Sequence, residues 1–485
     1  MKNCKRILDS VHGYIYIDNQ WIKWFVDNPY FQRLRRIEQT SGRSIYPSAR
    51  HDRFIHSLGV YHLGSRIIES IKSKPSDFDY KKEIHDKFFT SYKIACLMHD
   101  CGHTPFSHTF ETYFKRGEDE LPTLLIKELD DKESYRTDQL DSKGRYRKVA
   151  PHEYLSAILC LKKFRDKIVL AGGIPDLVAR MIVGIQYTDG HSFENCLISL
   201  IHGDVIDADR LDYVCRDRWA SGYSTSTVDI ERLISSIHIV KTKENSYKVC
   251  FDPSVLHDIE GVLAVKEFQQ LYVINHHTVR YEQYILQRAM ENTAYRIIHN
   301  GEQPLNETEA IDALKEFCNP SLMWDGLHKY NLSIQYPMDD DFIVLMKNNL
   351  QDPYVYQWFA RSYDKHLLWK NKAEFFSMFP EKKNELFDKE NSVYRLCDPL
   401  ILSNKIEGLD EDNLLRVDAE EKNCEISSEL NILMSDGTIK AYDFLFPKKN
   451  KSSSSQLFFY LYLSESALAQ KDKIKEFLAN NDIKN

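Results

Sequence analysis

The sequence predicts a mainly α protein with a smaller α+β region toward its C-terminal end. Three observations carry that prediction: helical spacing of apolar residues over the first 330 positions, recurrent helix start and stop signals, and strand-like alternation in the last part of the chain. In chain order, Tyr14 to Ile17 alternate as a short strand. Asn28-Pro29 then offers an N-cap and a proline at the first helical position, where the missing N–H is not needed, so a helix is predicted to about Gln39. Phe54, Leu58 and Leu63 form one apolar stripe, and Tyr92, Ile94, Ala95, Leu97 and Met98 belong to a second helix, with Gly102 and Pro105 as its stop signal. His99 and Asp100 fall in its last turn. Leu197, Leu200, Ile201 and Val205 mark a further helix. From Asn423 to Phe446 and from Leu457 to Leu463 the pattern becomes β-like, broken by Ser435-Asp436-Gly437 and by the polar run Lys448 to Gln456, which reads as an exposed hairpin loop.

A chain of 485 residues exceeds what one hydrophobic core usually supports, about 250–300 residues, so two units are expected: a core over 1–330 and an α+β region over 331–485. The hydrophobic fraction of 42% and charged fraction of 28% are those of a globular protein. No stretch approaches the roughly 18 apolar residues of a membrane span, and the first residues lack a signal-peptide core, which points to the cytoplasm. Ten cysteines scattered without a C-x-x-C pair are read as reduced thiols rather than a disulfide framework or zinc ribbon.

The net charge of −8 argues against nucleic acid as the main substrate. Locally, Arg33, Arg35, Arg36, Arg43, Arg50 and Arg53 are opposed only by Glu38 and Asp52, an island suited to attracting phosphates or, equally, an ordinary solvated helix face.

The chemistry centres on His99-Asp100. A histidine followed directly by an aspartate sets an imidazole beside a carboxylate, and His56 and Asp209 each add a ligand from another predicted helix. Two imidazoles and two carboxylates suit manganese, iron or zinc better than calcium. One divalent ion at His56, His99, Asp100 and Asp209 is therefore expected, with Mg2+ accompanying a nucleotide.

The order of these residues resembles the HD superfamily of phosphohydrolases. Five motifs extend the likeness: Asp9 to Gly13, Asn28 to Arg35, Arg53 to Gly59, His99 to His108, and Asp207 to Asp217. Together they are similar to the deoxynucleoside triphosphate triphosphohydrolases, whose fold is a helical HD-domain core. The resemblance implies cleavage at the α-phosphate, releasing deoxynucleoside and triphosphate. It places Arg53, Arg210, His103 and Lys266 near phosphate oxygens, and His108 and His152 beside the scissile bond with Glu111 behind His108 as candidate acid machinery. Glu111 stands where the family has a shorter aspartate. Gln39 and Asp217 are implied to meet the sugar 3′-hydroxyl, with Tyr213 against the 2′ side, where an unaccommodated ribose hydroxyl is rejected. An aromatic residue near the base in the family is Ile274 here.

Asp27, Gln32 and Arg35 match a guanine-nucleotide effector site of the mammalian members, where a carboxylate accepts from guanine N1–H and a guanidinium donates to O6 and N7; an ordinary helix turn is the competing reading. The resemblance also implies a homo-oligomer and a place in deoxynucleotide metabolism, with antiviral defence as one conceivable purpose. An HD phosphodiesterase or phosphatase acting on another nucleotide, and a non-catalytic nucleotide-sensing subunit, stay open as alternatives.

Overall fold

The computed structural model describes residues 3–481 apart from 75–81, 116, 118–119, 142, 204–205, 224–226, 383–391, 422–425, 428–429 and 447–455. Helices dominate, with small sheets between them. The chain forms two compact units from interleaved segments: Met1–Lys266, Ala294–Leu345 and Glu425–Lys449 make the first, and Glu267–Thr293, Met346–Cys424 and Asn450–Asn485 the second. A linear reading that divides the chain once at residue 330 does not anticipate this interleaving.

The first unit opens with an antiparallel hairpin, Cys4–Asp9 against Gly13–Asp18, in which alternation buries Ile15 and Ile17. Helix Arg53–Ser73 follows, started by Asp52, whose carboxylate accepts from Ile55 N–H at 2.9 Å. Its buried face carries Phe54, Leu58, Leu63, Ile67 and Ile71. Helices Lys82–Met98 and Ala208–Ser221 pack against it, and Pro151–Leu159 and Lys82–Met98 both pack on Pro175–Val183. A four-stranded sheet in the same unit runs Ile237–Lys241, Tyr247–Phe251, Asn431–Leu433, Ile439–Ala441, its middle pair parallel.

In the second unit a three-stranded antiparallel sheet, Lys365–Leu367, Gln456–Ser464 and Leu414–Glu421, packs on an aromatic core. Trp369 is fully buried there against Phe375 and Phe459, and its indole N–H donates to the Phe459 carbonyl at 2.9 Å.

Three local expectations change. The helix after Asn28 ends early: Pro29–Gln32 gives way to a 3-10 turn, Arg33–Arg36, because Glu38 and Gln39 leave to pair with the His51–Asp52 backbone. The region before residue 330 is predominantly helical as expected, but it also holds the Ile237–Phe251 hairpin, which the apolar spacing does not anticipate. The basic island is not a patch: Arg33 is buried, donating to the carbonyls of Pro337, Cys101 and His103, and Arg53 is buried as well. Arg43 instead pairs with Glu38 and Arg36 with Asp340. Val205 and the Lys451 to Ser455 run lie outside the described residues. No described helix is long and apolar enough to cross a membrane. The described cysteines are free thiols.

Candidate active site

Helix Lys82–Met98 ends in a turn that presents His99 and Asp100, and Gly102 lets this turn approach helix Pro151–Leu159. A Cβ at Gly102 would lie 2.4 Å from the Leu155 and Ser156 backbone, so only glycine permits the approach. Its N–H is received by Ser156 Oγ at 2.9 Å. The imidazoles of His56 and His99 meet here at 3.3 Å between Nε2 atoms, with Asp209 Oδ1 3.0 Å and 3.7 Å from them. Asp100 completes the group, 3.7 Å from His56 Nε2 and 3.6 Å from His99 Nε2.

Both rings are oriented for a cation. His56 Nδ1 bonds Asp212 at 2.7 Å and His99 Nδ1 bonds the Cys96 carbonyl at 3.0 Å. With each Nδ1–H committed to an acceptor, each Nε2 turns its lone pair inward, as a histidine ligand must. The donor set therefore fits a divalent ion: His56, His99 and Asp209 offer ligand atoms within 4.8 Å of one another and would hold it, with Asp100 beside them. Burial opposes a charge on His56, but Asp209 and Asp212 overcome it and lift the ring to about 10, a measure of how strongly this spot favours positive charge. Burial likewise opposes ionisation of Asp100, yet Arg53 and the histidines hold it well below the usual carboxylate range.

Asp212 is the hub behind these ligands. Fully buried, it receives His12 Nε2 at 2.6 Å, His56 at 2.7 Å, and Arg216 through Nε at 2.8 Å and Nη2 at 2.9 Å. Arg216 also donates to Asp9 at 2.8 Å, and Asp9 caps the hairpin turn at the Val11 and His12 amides. Sequence reasoning quoted the motifs containing Asp9, His12, Asp212 and Arg216 without assigning them roles. The Asp212–Arg216 spacing of one helical turn was the available signal.

A second cluster lies beyond Arg53. Glu111 Oε1 stands 2.8 Å from His108 Nδ1, 2.7 Å from His152 Nδ1 and 3.4 Å from His103 Nε2. The longer side chain thus comes near every histidine of the group and hydrogen-bonds His108. His103 and His152 stack at 4.4 Å. Burial would neutralise His152, but Glu111 raises it to about 9; burial together with Arg53 and His152 keeps His103 well below the ordinary histidine value. Glu111 itself, despite burial, is held well below the usual range by His152 and His108. Arg53 joins the clusters, donating to Asp100 at 2.7 Å and Ser107 at 3.0 Å and lying 3.4 Å from His108 Nε2. The loop between them is strained: Phe106 and Ser107 have φ of 55° and 52°, and Asp339 holds it by accepting from Phe106 N–H at 2.6 Å and Glu38 N–H at 3.0 Å.

Helix Ala208–Ser221 carries Asp209, Tyr213 and Asp217 at successive turns. Asp217 receives His51 Nε2 at 2.6 Å, a residue the sequence reading passed over. Gln39 is buried with Oε1 unpartnered, and Arg210 has Nε and Nη1 buried without hydrogen-bond partners, Nη1 lying 3.4 Å from Asp207. Lys266 is half-buried on helix Leu256–Gln269, and Ile274 belongs to the second unit. At the candidate effector triad, Gln32 and Arg35 are joined at 2.9 Å, Gln32 donates to Val26 O, Arg35 stacks on Phe54 and Asp27 is exposed.

Residues 53–171, which hold the His56, His99-Asp100 and His103 to His152 portions of this geometry, match the family model described as HD domain. The chain carries an HD domain. Similar curated proteins include an uncharacterized protein, the MG461 homolog of Mycoplasma pneumoniae, 30% identical over 54% of this chain and 55% of its own. Another is a protein named deoxynucleoside triphosphate triphosphohydrolase SAMHD1 homolog from Dictyostelium discoideum, 26% identical over 66% of this chain and 54% of its own. The chain spans about half the length of these relatives. The fold is shared with a phosphohydrolase from Bacteroides thetaiotaomicron, at TM-score 0.64 and 20% identity over 96% of this chain and 100% of that one. In the first unit, Asp209, which stands 3.0 Å from His56 Nε2, and Asp212, which bonds His56 Nδ1, lie beyond the matched span.

Proposed function

We propose that this protein is a metal-dependent hydrolase that cleaves deoxynucleoside triphosphates into deoxynucleoside and inorganic triphosphate. The observation that carries the reading is the pairing of an inward-facing His/Asp ligand set with a proton-holding His/Glu cluster, one buried arginine touching both. A divalent ion bound there supplies Lewis-acid polarisation of a phosphoryl oxygen and a nucleophilic water. The chain's own groups do the rest. Arg210, ion-paired with Asp207 through Nη1, offers a buried guanidinium suited to phosphate oxygens, and Gln39 offers a buried unpartnered acceptor, suited to a sugar 3′-hydroxyl. Tyr213 and Asp217 lie on the helix that carries Asp209, where a ribose 2′-hydroxyl would need room and a partner. As water's oxygen bonds to the α-phosphorus and the bond to the 5′-oxygen breaks, the leaving oxygen needs a proton. His152, kept protonated by Glu111, and the solvent-facing His108 are placed to hold one.

Under this reading the protein is cytoplasmic and homo-oligomeric, the resident ion is manganese, iron or zinc, and Lys266 assists the phosphates. Asp27, Gln32 and Arg35 bind a guanine nucleotide that promotes assembly. The contacts of Gln32 with Val26 and of Arg35 with Phe54 are then what an arriving base must displace.

Chromatography of products from ribo- and deoxyribonucleotides with Mn2+, Mg2+ and Co2+ tests the reading. Triphosphate release, preference for dATP over ATP, and loss of both metal and turnover in Asp209→Ala are expected. Equal kcat/KM for ATP and dATP, or pyrophosphate release, favours the phosphodiesterase or phosphatase reading, to which Ile274 in place of an aromatic residue already points. Light scattering with and without GTP or dGTP, on wild type and Asp27→Ala, tests the effector; unchanged mass and rate remove it.

A further inference from the structure

We propose that His103, His108, His152 and Glu111 constitute a second divalent-cation site, suited to Zn2+ and separate from the His56, His99, Asp209 set. The four offer ligand atoms that all lie within 4.8 Å of one another. Three imidazole nitrogens and one carboxylate oxygen form the N-rich, four-ligand set that zinc takes in tetrahedral geometry.

Hydrogen bonding supports a missing cation. His103 Nε2 is fully buried and has no hydrogen-bond partner, although it points toward Glu111 at 3.4 Å. His152 Nδ1 is only 2.7 Å from the same oxygen but is also without a properly aligned bond. Two buried ring nitrogens therefore converge on one carboxylate oxygen that can align with neither. Buried polar atoms are rarely left so. A cation between them would satisfy both nitrogens and the carboxylate at once.

The neighbours set the rank of the two sites. The first set has two carboxylates, Asp209 and Asp100, beside its imidazoles, the latter paired with Arg53 at 2.7 Å, whereas the second has one carboxylate, with the same guanidinium 3.4 Å from His108 Nε2. When His108 Nδ1 binds the ion, its proton must reside on Nε2, facing Arg53. Zinc therefore fills the second site after the first. This inference rests on the proposed function in one respect: the groups that would hold zinc are those assigned the leaving-group proton, so a second equivalent of zinc inhibits hydrolysis.

Equilibrium dialysis against Zn2+ with elemental analysis, and visible spectra of the Co2+-loaded protein, separate the sites. His108 is largely exposed and Asp209 partly so, which makes their alanine variants compatible with folding. The expected result is two equivalents in wild type and one each in Asp209→Ala and His108→Ala. The double variant should bind none, and a tetrahedral Co2+ band should survive Asp209→Ala but vanish with His108→Ala. In His152→Ala the second affinity should fall by at least about tenfold, the lower bound for losing even an outer-shell partner. Fewer than two equivalents in wild type, or a second equivalent unchanged in His108→Ala, overturns the proposal. If no nucleotide is hydrolysed at any zinc loading while the counts hold, the functional reading fails and the site stands.

Discussion

Gly59→Ala places one methyl group against the Asp212 hub. A Cβ at Gly59 would lie 1.9 Å from Asp212 Oδ1 and 2.5 Å from Arg216 Nη2, where ordinary contact begins near 3.4 Å. The carboxylate would have to retreat by about 1.5 Å. Oδ1 carries the bonds to His12 at 2.6 Å and Arg216 Nη2 at 2.9 Å, and a shift of that size breaks both. Breaking a buried charge pair costs about 3–5 kcal/mol, against which alanine in a helix returns only about 0.5–1 kcal/mol. We therefore expect a net loss of about 2–4 kcal/mol in chemical denaturation. His56, losing its fixed acceptor at Nδ1, should bind metal roughly 10–100-fold more weakly. Gly261→Ala is the control: nothing lies within 4 Å of a Cβ there, so the same substitution should stabilise by about 0.5–1 kcal/mol. A Gly59→Ala protein within about 0.5 kcal/mol of wild type, with unchanged metal content, would refute the reasoning.

Asp212→Asn keeps the shape of the hub but turns one acceptor into a donor facing Arg216 or a histidine, and calorimetry should show metal affinity reduced roughly 10–100-fold; unchanged affinity argues against the hub. In chelated buffer, the His152–Glu111 pair gives a pH signature. His152 is raised to about 9, so its stabilisation is complete below its ordinary value near 6.5 and disappears as pH rises through 9. The stability gap between wild type and Glu111→Gln should therefore shrink by on the order of 3 kcal/mol between pH 6.5 and 10, and a constant gap contradicts the pairing. In the second unit, Trp369→Ala should cost about 3–5 kcal/mol, read as loss of the unit's unfolding transition at its usual denaturant concentration; a neutral effect means that the aromatic core does not hold the sheet.

Residue types with strict spacing were legible in the sequence. The helical stripe from Phe54 and the end of the second helix near Gly102 could be anticipated because helix periodicity is a local property, whereas the gathering of His56, His99 and Asp209 was legible only through the resemblance of their order to the HD superfamily. The supports were not. His51 bonds Asp217 across 166 positions, His12 reaches Asp212 across 200, and Asp339 clamps Phe106 across 233; no periodicity links residues so far apart. The island of arginines misled for the same reason. Charge density along the chain cannot reveal that Arg33 turns inward to serve three carbonyls.

The clamp from Asp339 also dictates an order of events during synthesis. At the left-handed turn of Phe106 and Ser107, the Phe106 amide and the neighbouring Glu38 amide both donate to that single carboxylate. Until residue 339 has left the ribosome, the turn that carries Ser107 toward Arg53 lacks the Asp339 carboxylate, and Arg33 lacks the Pro337 carbonyl. At about 5–20 residues per second, the interval between emergence of Asp9 and of Asp339 is roughly 15–70 seconds. Throughout that interval the nascent chain carries Arg33, destined for burial, with part of its partners still unmade. The contacts of Asp339 with the Phe106 and Glu38 amides and of Pro337 with Arg33 therefore form only after the segment from Ala294 to Leu345 has been made.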